Sequence, residues 1–174
     1  MIIGNNIYLR LMEDYDIPLK VKWVNDEQIR NLLISDYISE TKTKKWLDEI
    51  YKYNTRKEFM ICLKATNEAI GFTSLKNIDL LNSKAELSML IGCKELWGKG
   101  YAKEARRMII NYAFNEIGLN KIYTFNWSKN KKIINLNQKL GFKIDGILRS
   151  DIFFKGEFRD MLVMSLLKGD WERK

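Results

Sequence analysis

Ala85-Glu-Leu-Ser-Met-Leu-Ile-Gly-Cys-Lys-Glu-Leu-Trp-Gly-Lys-Gly-Tyr-Ala-Lys-Glu-Ala105 is the stretch that decides how this chain folds. Ala85 to Ile91 has the pattern of a strand, Trp97 to Gly100 is a short glycine loop, and Tyr101 opens a helix. Residues 101, 105, 108, 109, 112 and 113 are apolar, at the spacing of one helix face. A loop that feeds a helix start leaves backbone N–H groups without intrahelical acceptors. Together with the positive end of the helix dipole, such groups favour phosphate. Gly98 and Gly100 remove two Cβ atoms where a diphosphate would approach the main chain. Two familiar phosphate loops do not fit. The P-loop requires G-x-x-x-x-G-K-[ST], but Gly100 follows Lys99 and no glycine lies at the required spacing before it. The dinucleotide fingerprint G-x-G-x-x-G would place its third glycine at Lys103, where a bulky side chain spoils close helix–strand packing. A plain strand-to-helix turn remains as the alternative.

Working outward, Ile7 to Leu11 reads as a first strand. Asp14 or Asp16 can cap a helix with Pro18 in its first turn, running to about Asn25. Asp26 can cap a short helix from Glu27 to Leu33, and Thr41 or Thr43 a third, from Lys44 to about Asn54. Glu58 to Ala65 and Ala69 to Ile78 are strands joined by a tight turn at Asn67-Glu68. The helix from Tyr101 reaches Glu116, before a stop at Gly118. Lys121 to Trp127 is a strand, and Asn130 can cap a helix to Leu140 closed by Gly141. Lys143 to Phe154 and Glu157 to Leu167 form a last hairpin around Lys155-Gly156. This order predicts an α+β or mixed α/β domain.

The chain has 174 residues and is 46% hydrophobic, enough for a packed core. No apolar run reaches the ~18 residues of a membrane span, and the polar start at Gly4-Asn-Asn lacks a secretory pattern. Cys62 and Cys93 read as free thiols of a cytoplasmic chain. With two cysteines and no histidine, no zinc site and no metal are expected. The lack of histidine also removes the commonest general base and every Ser-His or Cys-His nucleophile. The net charge of +8 suits an acidic partner, but it equally follows from a general richness in lysine. No basic–aromatic pattern marks nucleic acid as the partner.

The flanks of the glycine loop add a likeness. Ala85 to Ala105 resembles motif A of the GNAT superfamily of acyl-CoA N-acyltransferases, in its RimJ/RimL-like form A-E-L-G-x-x-I-G-x-x-x-W-G-K-G-Y-x-x-E-A. Phe114-Asn-Glu-Ile-Gly-Leu-Asn-Lys-Ile122 resembles the family's helix end and next strand. Asn130 through Lys139-Leu-Gly-Phe142 is similar to its N-x-x-[AS]-x-x-x-[YL]-x-K-x-G-F helix. Asp145-Gly-Ile-Leu-Arg149 and Gly156-Glu-Phe-Arg-Asp-Met161 resemble its closing strands, and Trp23-Val-Asn-Asp26 its W-x-N-D segment. The likeness covers nearly the whole chain and implies one GNAT domain over residues 1–174. It implies a mixed sheet of about seven strands flanked by helices. That sheet would splay between the strand ending at Ile91 and the strand Lys121 to Trp127.

The resemblance further implies an N-acetyltransferase with acetyl-CoA as co-substrate. The acceptor would be a primary amine, on a protein N-terminus such as that of a ribosomal protein or on a small molecule. The amine would attack directly in a ternary complex. A homodimer is compatible with this reading. So is a module that binds acyl-CoA as a sensor without turnover. The amides of Trp97, Gly98, Lys99, Gly100, Tyr101 and Ala102 would hold the diphosphate. Lys99 adds charge or is a solvated surface lysine. Glu95 occupies a position where the family often carries Gln or Arg, and an acid cannot bind phosphate. Unpaired N–H groups near Met89 and Leu90 would face the acyl carbonyl. Glu86 would take the amine proton, or it is an ion-paired strand residue. Asn137 stands where many relatives have a tyrosine acid, and its N–H₂ could help the departing thiolate. Asn130 would contact the carrier arm while capping its helix. Trp23, Asn25, Arg30, Tyr37, Phe72, Ser74 and Arg159 are the expected acceptor residues, with Trp23 and Phe72 equally suited to the core.

Overall fold

The computed structural model describes residues 1–173. The strands are β1 (Ile2–Ile3), β2 (Ile7–Leu11), β3 (Lys57–Leu63), β4 (Ala69–Asp79), β5 (Lys84–Ile91), β6 (Lys121–Trp127), β7 (Lys143–Phe154) and β8 (Glu157–Leu167). They form one sheet in the order β1-β2-β3-β4-β5-β6-β8-β7. All neighbours are antiparallel except β5 and β6. Those two pair in parallel at Lys84–Lys121, Ala85–Ile122 and Glu86–Tyr123, and then part. Each stays bound to its other neighbour: Ile91 to Gly71 of β4, and Trp127 to Met161 of β8. Two half-sheets, each with its own twist, therefore diverge along Leu87–Ile91 and Thr124–Trp127.

Both faces of the sheet are covered. α1 (Ile17–Asn25), α2 (Glu27–Leu33) and α3 (Glu40–Ile50) bury Ile17, Trp23, Val24, Ile29 and Leu47 against Met60, Cys62, Phe72 and Leu90. α4 (Tyr101–Asn111) and α5 (Lys131–Lys139) bury Ala105, Ile109 and Ile134 against the other face, with Phe59, Ile61, Leu75, Leu87 and Ile122. Residues 58 to 62 of β3 are all buried, which is why this strand shows no hydrophobic alternation. Asp26 caps α2 by accepting from Ile29 N–H at 3.1 Å, and Asn130 caps α5 by accepting from Ile133 N–H at 3.4 Å. Lys155 and Gly156 take φ of 51° and 83° and turn the last hairpin. No helix among the described residues is long and apolar enough to cross a membrane.

The expected sheet of about seven strands is present with one addition, β1, which pairs with β2 through only two residues, too few to show a period. Three expectations need correction. The third helix starts at Glu40 and ends at Ile50. Its cap is Ser39, which accepts from Lys42 N–H at 3.3 Å, while the Thr43 hydroxyl donates to the Ser39 carbonyl. The helix from Tyr101 is α-helical only to Asn111. Tyr112–Glu116 widens into a π turn that puts the adjacent Ala113 and Phe114 both into the core. A short α6 (Lys168–Glu172) follows β8, and its Trp171 indole donates to Asn111 Oδ1 at 2.7 Å. Asp14 and Asp16 lie in a 3-10 turn ahead of α1. Asp16 does not cap α1, because it takes both arms of Arg10 at 2.6 and 2.7 Å.

Candidate active site

The glycine loop runs from the end of β5 into α4. Gly98 and Gly100 have φ of +81° and +92°, a region that favours glycine, and a Cβ on either would meet nothing within 4 Å. Trp97 pins the loop: its indole donates to the Ile91 carbonyl at 2.8 Å. The amides divide. Trp97 N–H already donates to the Lys94 carbonyl at 3.1 Å, and Lys99 N–H to that of Leu96 at 3.4 Å. The first α4 bond runs from Glu104 N–H to the Gly100 carbonyl. The N–H groups of Gly98, Gly100, Tyr101, Ala102 and Lys103 have no acceptor among the described residues. The donor set is thus four of the six expected amides, plus Lys103. The Lys99 side chain is exposed, whereas Tyr101 and Ala102 pack partly on the core.

Below the loop lies the gap between β5 and β6. Met89 and Leu90 sit on the parted stretch of β5, and Asn126 on that of β6. Two buried polar groups near it lack partners: Nε and Nη1 of Arg106, and Oδ1 of Asn137. Arg106 is 2% exposed. Its place on α4 follows from its neighbours. Glu104 accepts from Asn6, Met108 lies against Gly4, and Tyr112 meets the Phe59 ring, so that edge of α4 faces β1 to β3. Arg106 and Ile110 lie on the opposite edge, away from β1 to β3. Its side chain leans back toward the helix start. Burial alone pushes the Arg106 guanidinium down to about 10. Free amides, open space at both glycines and a buried cation without an anion suit an elongated ligand bearing phosphate.

Asn137 corrects the expected role. Its N–H₂ donates to Asn126 Oδ1 at 3.3 Å and lies 3.8 Å from Met164 Sδ, so it is committed away from any thiolate. What remains free is an acceptor oxygen.

Glu86 stands at the last β5–β6 pair, on the sheet face of Phe72 and Leu90. Lys76 Nζ is 2.9 Å from it and Asn77 donates at 3.2 Å. It is therefore an ion-paired strand carboxylate that borders the gap. Ser74 is buried on the same face, 3.1 Å from the Ser88 hydroxyl.

The expected acceptor residues fall into two groups. Trp23 is core: a Cβ on Gly92 would sit 2.1 Å from its ring. Asn25 is a staple, donating to the Ile38 carbonyl at 2.8 Å and accepting from Ile38 N–H at 2.9 Å. Phe72 packs under Lys20, whose ammonium lies 4.5 Å from its ring centroid, 3.9 Å from that of Trp46 and 2.5 Å from Glu58. Burial pushes that ammonium down, against the pull of Glu58. Arg30 and Tyr37, in contrast, stack on each other at the end of α2, and Arg159 reaches the backbone of α2 from the β7–β8 hairpin. Arg30 lies 3.5 Å from the Tyr37 centroid, and Arg159 Nη1 is 3.5 Å from the Asn31 carbonyl. Sequence reasoning missed Trp127 and Phe154, whose rings flank Arg159 at 4.4 and 4.7 Å. It also missed Arg106, visible in the sequence only as a charge beside the apolar stripe of α4.

Comparison with known proteins gives the family. The acetyltransferase (GNAT) domain model matches residues 6–143. An uncharacterized N-acetyltransferase, p20, of Bacillus licheniformis is 29% identical over 163 residues, 92% of this chain and 90% of the relative. A putative ribosomal N-acetyltransferase of Bacillus subtilis is 37% identical over 102 residues, 59% of this chain and 55% of the relative. The crystal structure of spermidine N-acetyltransferase from Vibrio cholerae, in complex with CoA and spermine, shares the fold at a TM-score of 0.91. It is 24% identical, over 96% of this chain and 98% of that one. The chain belongs to the GNAT family of acetyltransferases, whose acyl donor is acetyl-CoA.

Proposed function

We propose that this chain is a RimJ/RimL-like N-acetyltransferase, a single domain that moves the acetyl group of acetyl-CoA to a primary amine by direct attack in a ternary complex. The acceptor is a protein N-terminus such as that of a ribosomal protein, in line with a relative named as a ribosomal N-acetyltransferase, or a small-molecule amine. One observation carries the reading: unbonded amides at a glycine-framed helix start stand beside two parted strands. The amides of Gly98, Gly100, Tyr101 and Ala102 hold the diphosphate, with the α4 dipole behind them. On the parted strand the Met89 N–H, which points away from β4, supplies a donor to the acyl carbonyl, where charge builds as the amine attacks, while the Leu90 N–H turns to its pair Phe72. Asn130 borders the arm. Acetyl-CoA supplies an activated acetyl group and a thiol of pKa ~8.5, a good leaving group without a strong acid. This suits a site where Asn137 presents only an acceptor.

The amine must lose a proton, since an alkyl amine titrates near ~10.4. Glu86 collects it, through water, at the border of the gap. Replacing it (Glu86→Gln) is expected to lower kcat/KM on the order of 10²-fold at pH 7. The pH profile should then climb toward the acceptor's own pKa. An unchanged rate and profile would remove Glu86 from the mechanism. The whole reading is tested by thiol release from acetyl-CoA across a panel of amines. Tight CoA binding with no release from any amine would replace it by a carrier-binding sensor.

A further inference from the structure

The mouth of the gap on the α1–α3 face is bordered by the Arg159 guanidinium, which has no anion. Trp127 ends the parted stretch of β6 and shares the face of Tyr123 and Glu86, opposite to Asn126, which meets Asn137 of α5. Arg159 lies between the rings of Trp127 and Phe154. Those rings occupy the flat sides of the guanidinium and leave its edge to hydrogen bonding. On that edge Nε is buried with no partner, and Nη1 reaches the Asn31 carbonyl only at 3.5 Å. Arg30, one residue before Asn31, donates to the Ser35 carbonyl and stacks on Tyr37. Neither arginine forms an ion pair among the described residues, while three carboxylates of the neighbouring elements pair with lysines. Glu27 pairs with Lys155, Asp26 with Lys94, and Glu86 with Lys76.

We propose that the acceptor is a primary amine that also carries a carboxylate, and that Arg159 binds this carboxylate with Arg30 adding charge behind it. This rests on the acetyl-transfer reading of the site. A half-buried guanidinium held between two rings, with Nε unpartnered beside Nη2, is a fork already set in place for two carboxylate oxygens. Its desolvated Nε has an outstanding hydrogen bond, which a carboxylate supplies and an ammonium cannot. The same two cations repel polyamines. The acceptor class therefore differs from that of the relatives named spermidine N(1)-acetyltransferase.

The test is thiol release from acetyl-CoA with matched acceptors. Amino acids from glycine to 6-aminohexanoate are set against alkylamines of the same carbon skeleton. Tetrapeptides with acidic or neutral second residues, and spermidine, complete the panel. We expect the carboxylate member of the best pair to have at least about tenfold higher kcat/KM, expressed mostly in KM. Arg159→Gln should bring that ratio near one, Arg159→Lys should keep part of it, and Arg159→Glu should reverse it. The KM for acetyl-CoA should not move. Equal rates within every pair, or a preference for spermidine, would overturn the proposal. Thermal shift of the CoASH-loaded protein with each pair reads the same contact without turnover. Stabilisation by the carboxylate member alone, with no thiol release from any acceptor, would sustain this site and sink the transfer reading. No selective stabilisation would sink this site.

Discussion

Valine at both Gly98 and Gly100 is expected to weaken CoA binding by about 10³-fold while the protein remains folded. Each glycine has a positive φ, which costs an L-residue about 1–2 kcal/mol. Neither added Cβ meets an atom within 4 Å, so no clash accompanies that strain. The new branches project instead into the open side of the loop, where the proposed function has the free amides of Gly98, Gly100 and Tyr101 reach a phosphate oxygen. A hydrogen bond to a charged group is worth about 1.5–3 kcal/mol, and losing two gives the stated factor. Single alanines should fall between. Titration calorimetry with CoASH measures the effect, and a thermal melt reports the fold. A dissociation constant within threefold of wild type, with the fold intact, would mean that these amides do not hold the diphosphate.

Arg106→Met is expected to stabilise the unliganded protein. Displacing a guanidinium to about 10 by burial opposes the charged state by about 3 kcal/mol. No carboxylate or hydrogen bond at Nε or Nη1 offsets this. Methionine is unbranched and adaptable enough to occupy the same path beside Ile110 and Ala102. The gain should appear as a Tm rise of roughly 5–10 °C at pH 7. The pH dependence has a definite sign. The folded value lies below the unfolded one, so the penalty is complete at neutral pH. The unfolded chain holds the proton above pH 10, and wild-type stability therefore rises there relative to the variant. A Tm for Arg106→Met at or below wild type at pH 7 would show that the guanidinium is better satisfied than its surroundings indicate.

The elements around the loop were legible because their signals are local. Asp26, Asn130, Gly118 and Gly141 terminate helices through their own backbone or side chain, and Asn67 and Gly156 turn hairpins in the same way. The third helix start was not, because Ser39, Thr41 and Thr43 are all capping types and only packing selects among them. The π turn at Tyr112 has no distinct local pattern. The acceptor residues divide for a similar reason. Trp23, Asn25 and Phe72 are fixed by Gly92, Ile38 and Lys20, which lie far from them in sequence or in a separate element. The pairing of Glu86 with Lys76 rather than Lys84 needs the register of two strands.

The parted strands make the sheet a partition with one slot in it. The glycine loop and α4 stand on one side, and Trp127 with Arg159 on the other. Donor and acceptor would then enter by separate doors, and neither would block the other's exit. Initial-rate plots should give intersecting lines, with neither substrate obliged to come first. Coenzyme A and the unreacted amine should be able to occupy the enzyme together as a dead-end complex.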